Sequence, residues 1–178
     1  KRRKILEHVL PYFTSVGMDE SELRNTGEIM EHSISQEPSL GEVYTISKKI
    51  IEEYGVSRVH VHTKHFQSIV ADRKYPVRDK QMRDGLLYSE LAAVSMADSG
   101  EIPESGDLEI TDDMHVTRLD DLEHFQDFFD LKNFVETGTA RLEGYKVVAI
   151  PTIIHEKPER LVGMGDVISS GAFASETN

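Results

Sequence analysis

The stretch "GYKVVAIPTIIHEKPERLVGMGDVISSGAFASE", residues 144–176, decides how the rest of the chain is read. Its first part, Gly144 to Ile154, is nearly continuous in apolar residues, as a strand buried on both faces should be. A loop, "HEKPERLVGM", follows, and small residues compatible with a helix run on from about Gly165. That order places backbone N–H groups at a helix N-terminus, where an anion can be held. Gly163 and Gly165 flank Met164, and glycine lets amides approach a ligand closely. Asp166, in the first helical turn, would face the same spot and accept a proton from a hydroxyl while the amides hold the phosphoryl group under attack. Taken alone, Gly-Met-Gly reads more readily as a turn and Asp166 as a helix cap.

Working outward, strand and helix patterns alternate. "KRRKILEHVLPYF" is amphipathic from its first turn, through Ile5, Leu6, Val9 and Leu10. Ser15 to Met18 reads as extended chain turning into a helix near Asp19, with Glu20 and Glu22 at its positive end. "SLGEVYTISKKIIEEYG" predicts a helix stopped by Gly55, and Val56 to Thr63 has the β-branched content of a strand. "FQSIVAD" predicts a further short strand. Met82, Leu86, Leu87, Leu91 and Val94 place a long core helix between Arg78 and Ser99. Gly100 to Ile110 is turn-rich, and Asp112, Asp113 and His115 read as surface loop. Arg118 to Val135 predicts one acidic helix with Leu119, Leu122, Phe125, Phe129 and Phe134 buried. Such alternation implies an α/β fold with a mostly parallel sheet and helices on both faces. Ligands then bind beyond the carboxyl ends of the strands, where Ser15 to Glu22, His60 to His65 and His155 to Asp166 all fall.

The chain has 178 residues, 38% hydrophobic and 29% charged, which suits one globular domain or part of one. Against 20 Lys plus Arg stand 32 Asp plus Glu, a formal net charge of −12 that argues against a nucleic-acid partner. The basic run Lys1 to Lys4 reads as a solvated helix start rather than a targeting patch. With no cysteine there is no disulfide framework, thiolate zinc site or thiol nucleophile. No apolar run is long enough to span a membrane and no secretory signal is visible, so the expected location is the cytoplasm. A start without methionine, inside an amphipathic pattern, is expected for a piece of a larger protein.

Three stretches, in order, carry a family resemblance: "SVGMDESEL" (Ser15 to Leu23), "VHVHTKHF" (Val59 to Phe66) and "PTIIHEKPERLVGMGDVISSGAF" (Pro151 to Phe173). The chain resembles the C-terminal part of the ADP-dependent sugar kinases, glucokinase and 6-phosphofructokinase, known chiefly from archaea. The resemblance implies a ribokinase-like three-layer sandwich, with the nucleotide-binding and catalytic part of the large domain here and its N-terminal part and lid absent. It implies transfer of the β-phosphate of Mg·ADP to a sugar hydroxyl, leaving AMP. Asp166 would be the base, with Gly163, Met164 and Gly165 supplying amides to the phosphate. Glu22 matches the Glu of an Asn-x-x-Glu motif that helps hold Mg²⁺ through water, with Asp166 nearby, and Asp19 replaces the Asn. His62 and Thr63 match a pair lining the ADP site, and Ile154 and His155 would border the adenine. Leu161 and Val167 stand where the family often has threonines, while the Gly-x-Gly-Asp core is intact.

Other readings remain open. His60, His62 and His65 invite a metal site, since His60 and His62 project from one face of a strand, but no carboxylate shares their segment at ligand spacing, and hydrogen bonding explains them adequately. Lys157 and Arg160 would attract phosphate from the loop before the anion hole. The look of "SVGMDE" and "HVHTKHF" favours fructose 6-phosphate as acceptor, yielding fructose 1,6-bisphosphate in glycolysis. Glucose, both sugars, an ATP-dependent relative, and a non-catalytic nucleotide-binding fragment are the alternatives. The oligomeric state is left undetermined.

Overall fold

Periodicity in the sequence becomes layers in the computed structural model, which describes residues 2–101, 108, 110–155 and 164–176. A first helix α1 (Arg2–Val9) and a 3₁₀ turn (Leu10–Tyr12) lead into β1 (Ser15–Asp19) and α2 (Glu20–Ile29). Then come α3 (Leu40–Tyr54), β2 (Arg58–His62), β3 (Phe66–Asp72) and the long α4 (Asp79–Ser99). After them run β4 (Met114–Val116), α5 (Asp120–Phe128), α6 (Phe134–Thr137), β5 (Thr139–Leu142), β6 (Tyr145–Pro151), β7 (Ile153–His155) and α7 (Met164–Glu176).

Alternation along the central strands separates two cores. Phe66 and Val70 of β3, with Val147 and Ala149 of β6, join a cluster that includes Leu23, Val43, Ile46, Ile50, Leu122 and Phe125. Ile69 and Ala71, with Val148 and Ile150, face the other way onto Met82, Leu86 and Ala172. Thus α2, α3 and α5 cover one face of the sheet, and α4 and α7 the other. Each fully buried residue of α3, such as Val43, Ile46 or Ile50, contributes roughly 1.5–3 kcal/mol of burial. Ser39 and Glu42 form a capping box at the start of α3, and Gly55, at φ 73°, ends it in the left-handed region where glycine carries no Cβ penalty.

The five-stranded sheet runs β1-β2-β3-β6-β5, and a second sheet pairs β4 with β7. The three layers are as expected, but the strand directions are not: β1 and β2 are parallel, while β2–β3, β3–β6 and β5–β6 are antiparallel. Within this chain the sheet is therefore mostly antiparallel. The physical reason is the short link between β2 and β3, since strands joined by a few residues can only fold back on each other. Because β3 and β5 are the reversed strands, β1, β2 and β6 still point the same way, and Asp19, His62 and Pro151 end at one edge.

Three further expectations are corrected. The stretch from Gly144 to Ile154 is two strands, because the chain leaves β6 at Pro151 and re-pairs as β7 with β4. The acidic stretch from Arg118 to Val135 is two helices, broken by Asp130 and Asn133 at φ 50° and 58°, backbone angles no α-helix accommodates. Leu122, Phe125 and Phe134 are buried, whereas Leu119 is exposed. In α4 the buried residues include Met82, Leu86, Ser89, Glu90, Ala93, Val94 and Ala97, and Leu87 lies outside them at 39% exposure.

Candidate active site

The site grows from the polar face of β2. In "RVHVH", Val59 and Val61 enter the core beneath α3, so Arg58, His60 and His62 face α7. Helix α7 lies along them. A Cβ built on Gly165 would stand 3.1 Å from His62 Nε2, and one on Gly17 of β1 would stand 2.8 Å from Ser169 Oγ. At the far end Glu176 accepts from Arg58 Nη2 at 2.6 Å and Nε at 3.0 Å, with both side chains buried, and Arg58 Nη1 donates to Ser15 Oγ at 2.8 Å. Small residues at Gly17 and Gly165 and a buried ion pair thus fix where the first turn of α7 sits. Gly171 of α7 and Ser89 of α4 make a further close approach, 3.3 Å from a Cβ at the glycine.

The first turn of α7 carries Met164, Gly165 and an exposed Asp166 beside His62. Across from it Asp19 pairs with His62 in the β1–β2 register and caps α2. Asp19 Oδ1 accepts from the Glu22 amide at 2.7 Å, and Glu22 Oε2 accepts from the Asp19 amide at 3.0 Å. Asp19, Glu20, Ser21, His62, Thr63 and Lys64 line an open cavity of about 270 Å³. Burial holds His62 below the usual imidazole range, and the carboxylates of Asp19, Glu22, Glu20 and Asp166 pull against it. A neutral ring results near pH 7, with Nδ1 buried and without a partner among the described residues.

Sequence expectation and structure meet unevenly. Asp19, Glu22, His62, Gly165 and Asp166 come together, whereas Gly163, Lys157 and Arg160 lie outside the described residues. The Thr63 hydroxyl is committed to its own turn, donating to the Phe66 carbonyl at 2.8 Å and accepting from the His65 and Phe66 amides. Ile154 and His155 sit in β7, tied to that turn by Thr152, whose hydroxyl donates to the Thr63 carbonyl and whose amide donates to the His65 carbonyl. His60 is fully buried and bonded to Gln67, and burial with the neighbouring Arg58 charge pushes it well below the imidazole range. That is a structural histidine. Among the described residues no group of three or more ligating side chains gathers around a point. The carboxylates that face His62 are those of Asp19, Glu20 and Glu22 at the head of α2 and Asp166 at the head of α7. A larger cavity of about 480 Å³, lined by His32, Leu40, Phe125 and Phe128 among others, lies on the α3 side and holds none of these residues.

Sequence reasoning missed Arg58, Glu176 and Glu90. The signal for Glu90 was available: it stands four residues after Leu86 on the buried stripe of α4. Arg58 and Glu176 are far apart in sequence, and nothing local links them.

Over residues 1–175 the chain matches the ADP-specific phosphofructokinase/glucokinase conserved region. The chain belongs to that family. Among curated relatives, the ADP-dependent glucose/glucosamine kinase of Pyrococcus abyssi is 37% identical over 185 residues, covering 98% of this chain and 38% of that protein. The ADP-specific phosphofructokinase of Methanosarcina acetivorans is 29% identical, with 98% and 38% covered. An ADP-dependent kinase solved in complex with fructose-6-phosphate and ADPβS superposes with a TM-score of 0.86 at 27% identity, covering 98% of this chain and 41% of that one. The ribokinase-like α/β architecture of the family accordingly describes this chain. It spans about two fifths of the length of these relatives.

Proposed function

We propose that the chain is the C-terminal nucleotide-binding and catalytic part of an ADP-dependent sugar kinase acting in the cytoplasm in glycolysis. The observation that carries this is the docking of α7, which sets Gly165 against His62 and Asp166 opposite Asp19 and Glu22. The preferred acceptor is fructose 6-phosphate, in keeping with the phosphofructokinases among the relatives and with the sugar phosphate in a structural neighbour's complex. Glucose is the second reading, favoured by the 37% identity to a glucose/glucosamine kinase.

In this reading Asp166 accepts the proton of the acceptor hydroxyl, whose oxygen forms a bond to the β-phosphorus. The bond from that phosphorus to the bridging oxygen breaks, and its electron pair leaves with AMP. Positioning and charge stabilisation do most of the work in such a transfer. The amides of Met164 and Gly165, in the first turn of α7, meet the phosphoryl oxygens with the positive end of the helix dipole. Mg²⁺, when bound, neutralises phosphate charge, and Glu22 with Asp166 would hold it through water. His62, kept neutral, offers a hydrogen bond to the nucleotide without adding charge, and Thr63 shapes the turn beneath it. Asp166→Asn in the complete kinase lowers turnover by at least about 10²-fold with ADP affinity held, the usual range for a general base. Full activity in that variant, measured as AMP release, removes Asp166 from the role. Comparison of ADP with ATP as donor, and of the chain alone with the complete protein, separates this reading from an ATP-dependent kinase and from a non-catalytic fragment.

A further inference from the structure

Glu90 is a carboxylate in the middle of a core helix. It is 2% exposed, and its neighbours on the stripe are Leu86, Ala93, Val94 and Ala97. Removing a carboxylate from water is costly unless a partner compensates, and no cation approaches this one among the described residues. Its hydrogen bond is to the backbone: Glu90 Oε1 accepts from the Ile153 amide at 2.9 Å, while Oε2 is buried without a partner among the described residues. A group that is costly to bury and makes a single contact to the main chain is kept for that contact.

The contact falls where the chain leaves the five-stranded sheet and enters β7. Thr152 is tied to the turn after β2, and β7 pairs with β4 through Ile153 to Val116, Ile154 to His115 and His155 to Met114. Helix α4 engages β7 twice, at Ile153 through Glu90 and at His155 through Asp98, which lies 3.5 Å from His155 Nε2. Alternation then turns Ile154 away from α4, and it is 39% exposed. We infer that Glu90 is a positioning residue for the nucleotide: by holding the Ile153 amide it fixes β7 and so the surface that Ile154 presents to the base. This rests on the reading of β7 as the border of the adenine.

The test uses the complete kinase, with KM for ADP, kcat and hydrogen exchange of the Ile153 amide measured for Glu90→Leu and Glu90→Gln. Leucine removes the acceptor, so the Ile153 amide exchanges faster and KM for ADP rises about tenfold or more, the scale of a lost hydrogen bond to a charged group, while kcat stays within about threefold. Glutamine keeps an acceptor at the same place, and KM rises by less than about threefold. An unchanged KM with leucine while the amide exchanges fast overturns the inference, as does a glutamine variant as impaired as the leucine one. If leucine does not fold, the glutamine result decides alone: retained KM, with ADP binding still slowing exchange at Ile153, supports the role, and loss of either overturns it. Ile154→Asp separates the two levels of the argument. If that variant binds ADP as the parent does, β7 does not border the base and the underlying reading fails, whatever Glu90 does to Ile153.

Discussion

Replacing Glu90 with glutamine makes the protein more stable at high pH, although the native residue is the one that carries the charge. Burial raises the Glu90 carboxyl to about 7, against 4.5 for a free glutamate. Below pH 4.5 the folded and unfolded chains both hold the proton, and the residue costs nothing. Between there and about 7 only the unfolded chain ionises, so stability falls as pH rises; above 7 the loss is complete, at about 3 kcal/mol. Glutamine mimics the protonated form at every pH and still accepts from Ile153, and the value of about 7 already includes the stronger bond that the charged oxygen makes there. The variant is therefore expected to exceed the parent by about 3 kcal/mol at pH 8 and by less than about 1 kcal/mol at pH 5. Urea unfolding of both proteins across that range, at matched ionic strength, reads the difference directly, because every other carboxylate cancels. An equal difference at both ends of the range, or a parent more stable at pH 8, would refute the assignment of a buried, cation-free carboxylate.

Two further perturbations probe the docking of α7. Gly17→Ala would put a methyl group 2.8 Å from Ser169 Oγ, so a loss of roughly 1–3 kcal/mol is expected, and Ser169→Gly should recover part of it in a double-mutant cycle; independent effects would show that β1 and α7 do not touch there. Arg58→Met leaves Glu176 buried without its counter-charge and should cost about 3–5 kcal/mol in thermal or denaturant unfolding, whereas Arg58→Met with Glu176→Leu should recover most of it; a double variant no better than the single one would mean that the ion pair itself is required.

What could be read beforehand followed from local chemistry. The start of α3 at its capping box, its end at Gly55, the extent of α4 and the junction at Asp19 all rest on residues within a turn of each other. The gathering of Asp19, His62 and Asp166 at one edge survived even though the sheet was expected to be parallel, because inserting the reversed β3 leaves β1, β2 and β6 aligned. Strand direction was illegible because an apolar run carries no sign of which neighbour it will pair with. The split at Pro151 was hidden by unbroken hydrophobicity from Val147 to Ile154, with only proline and threonine to mark the bend. Arg58 and Glu176 escaped notice for a different reason: each is ordinary by itself, and only their meeting makes them matter.

That meeting also orders events in time. Arg58 and Glu176 are separated by 118 residues, and Gly17 meets Ser169 across a still longer span. Closing such loops is entropically unfavourable until the surfaces they join already exist. Helix α7 has nothing to dock on before β1, β2 and α4 are in place, whereas the β2–β3 and β5–β6 pairs can form early from neighbouring chain. A ribosome delivering this chain would release β1, β2 and α4 before α7, so the segment that bears Asp166 settles onto a surface already built when it emerges.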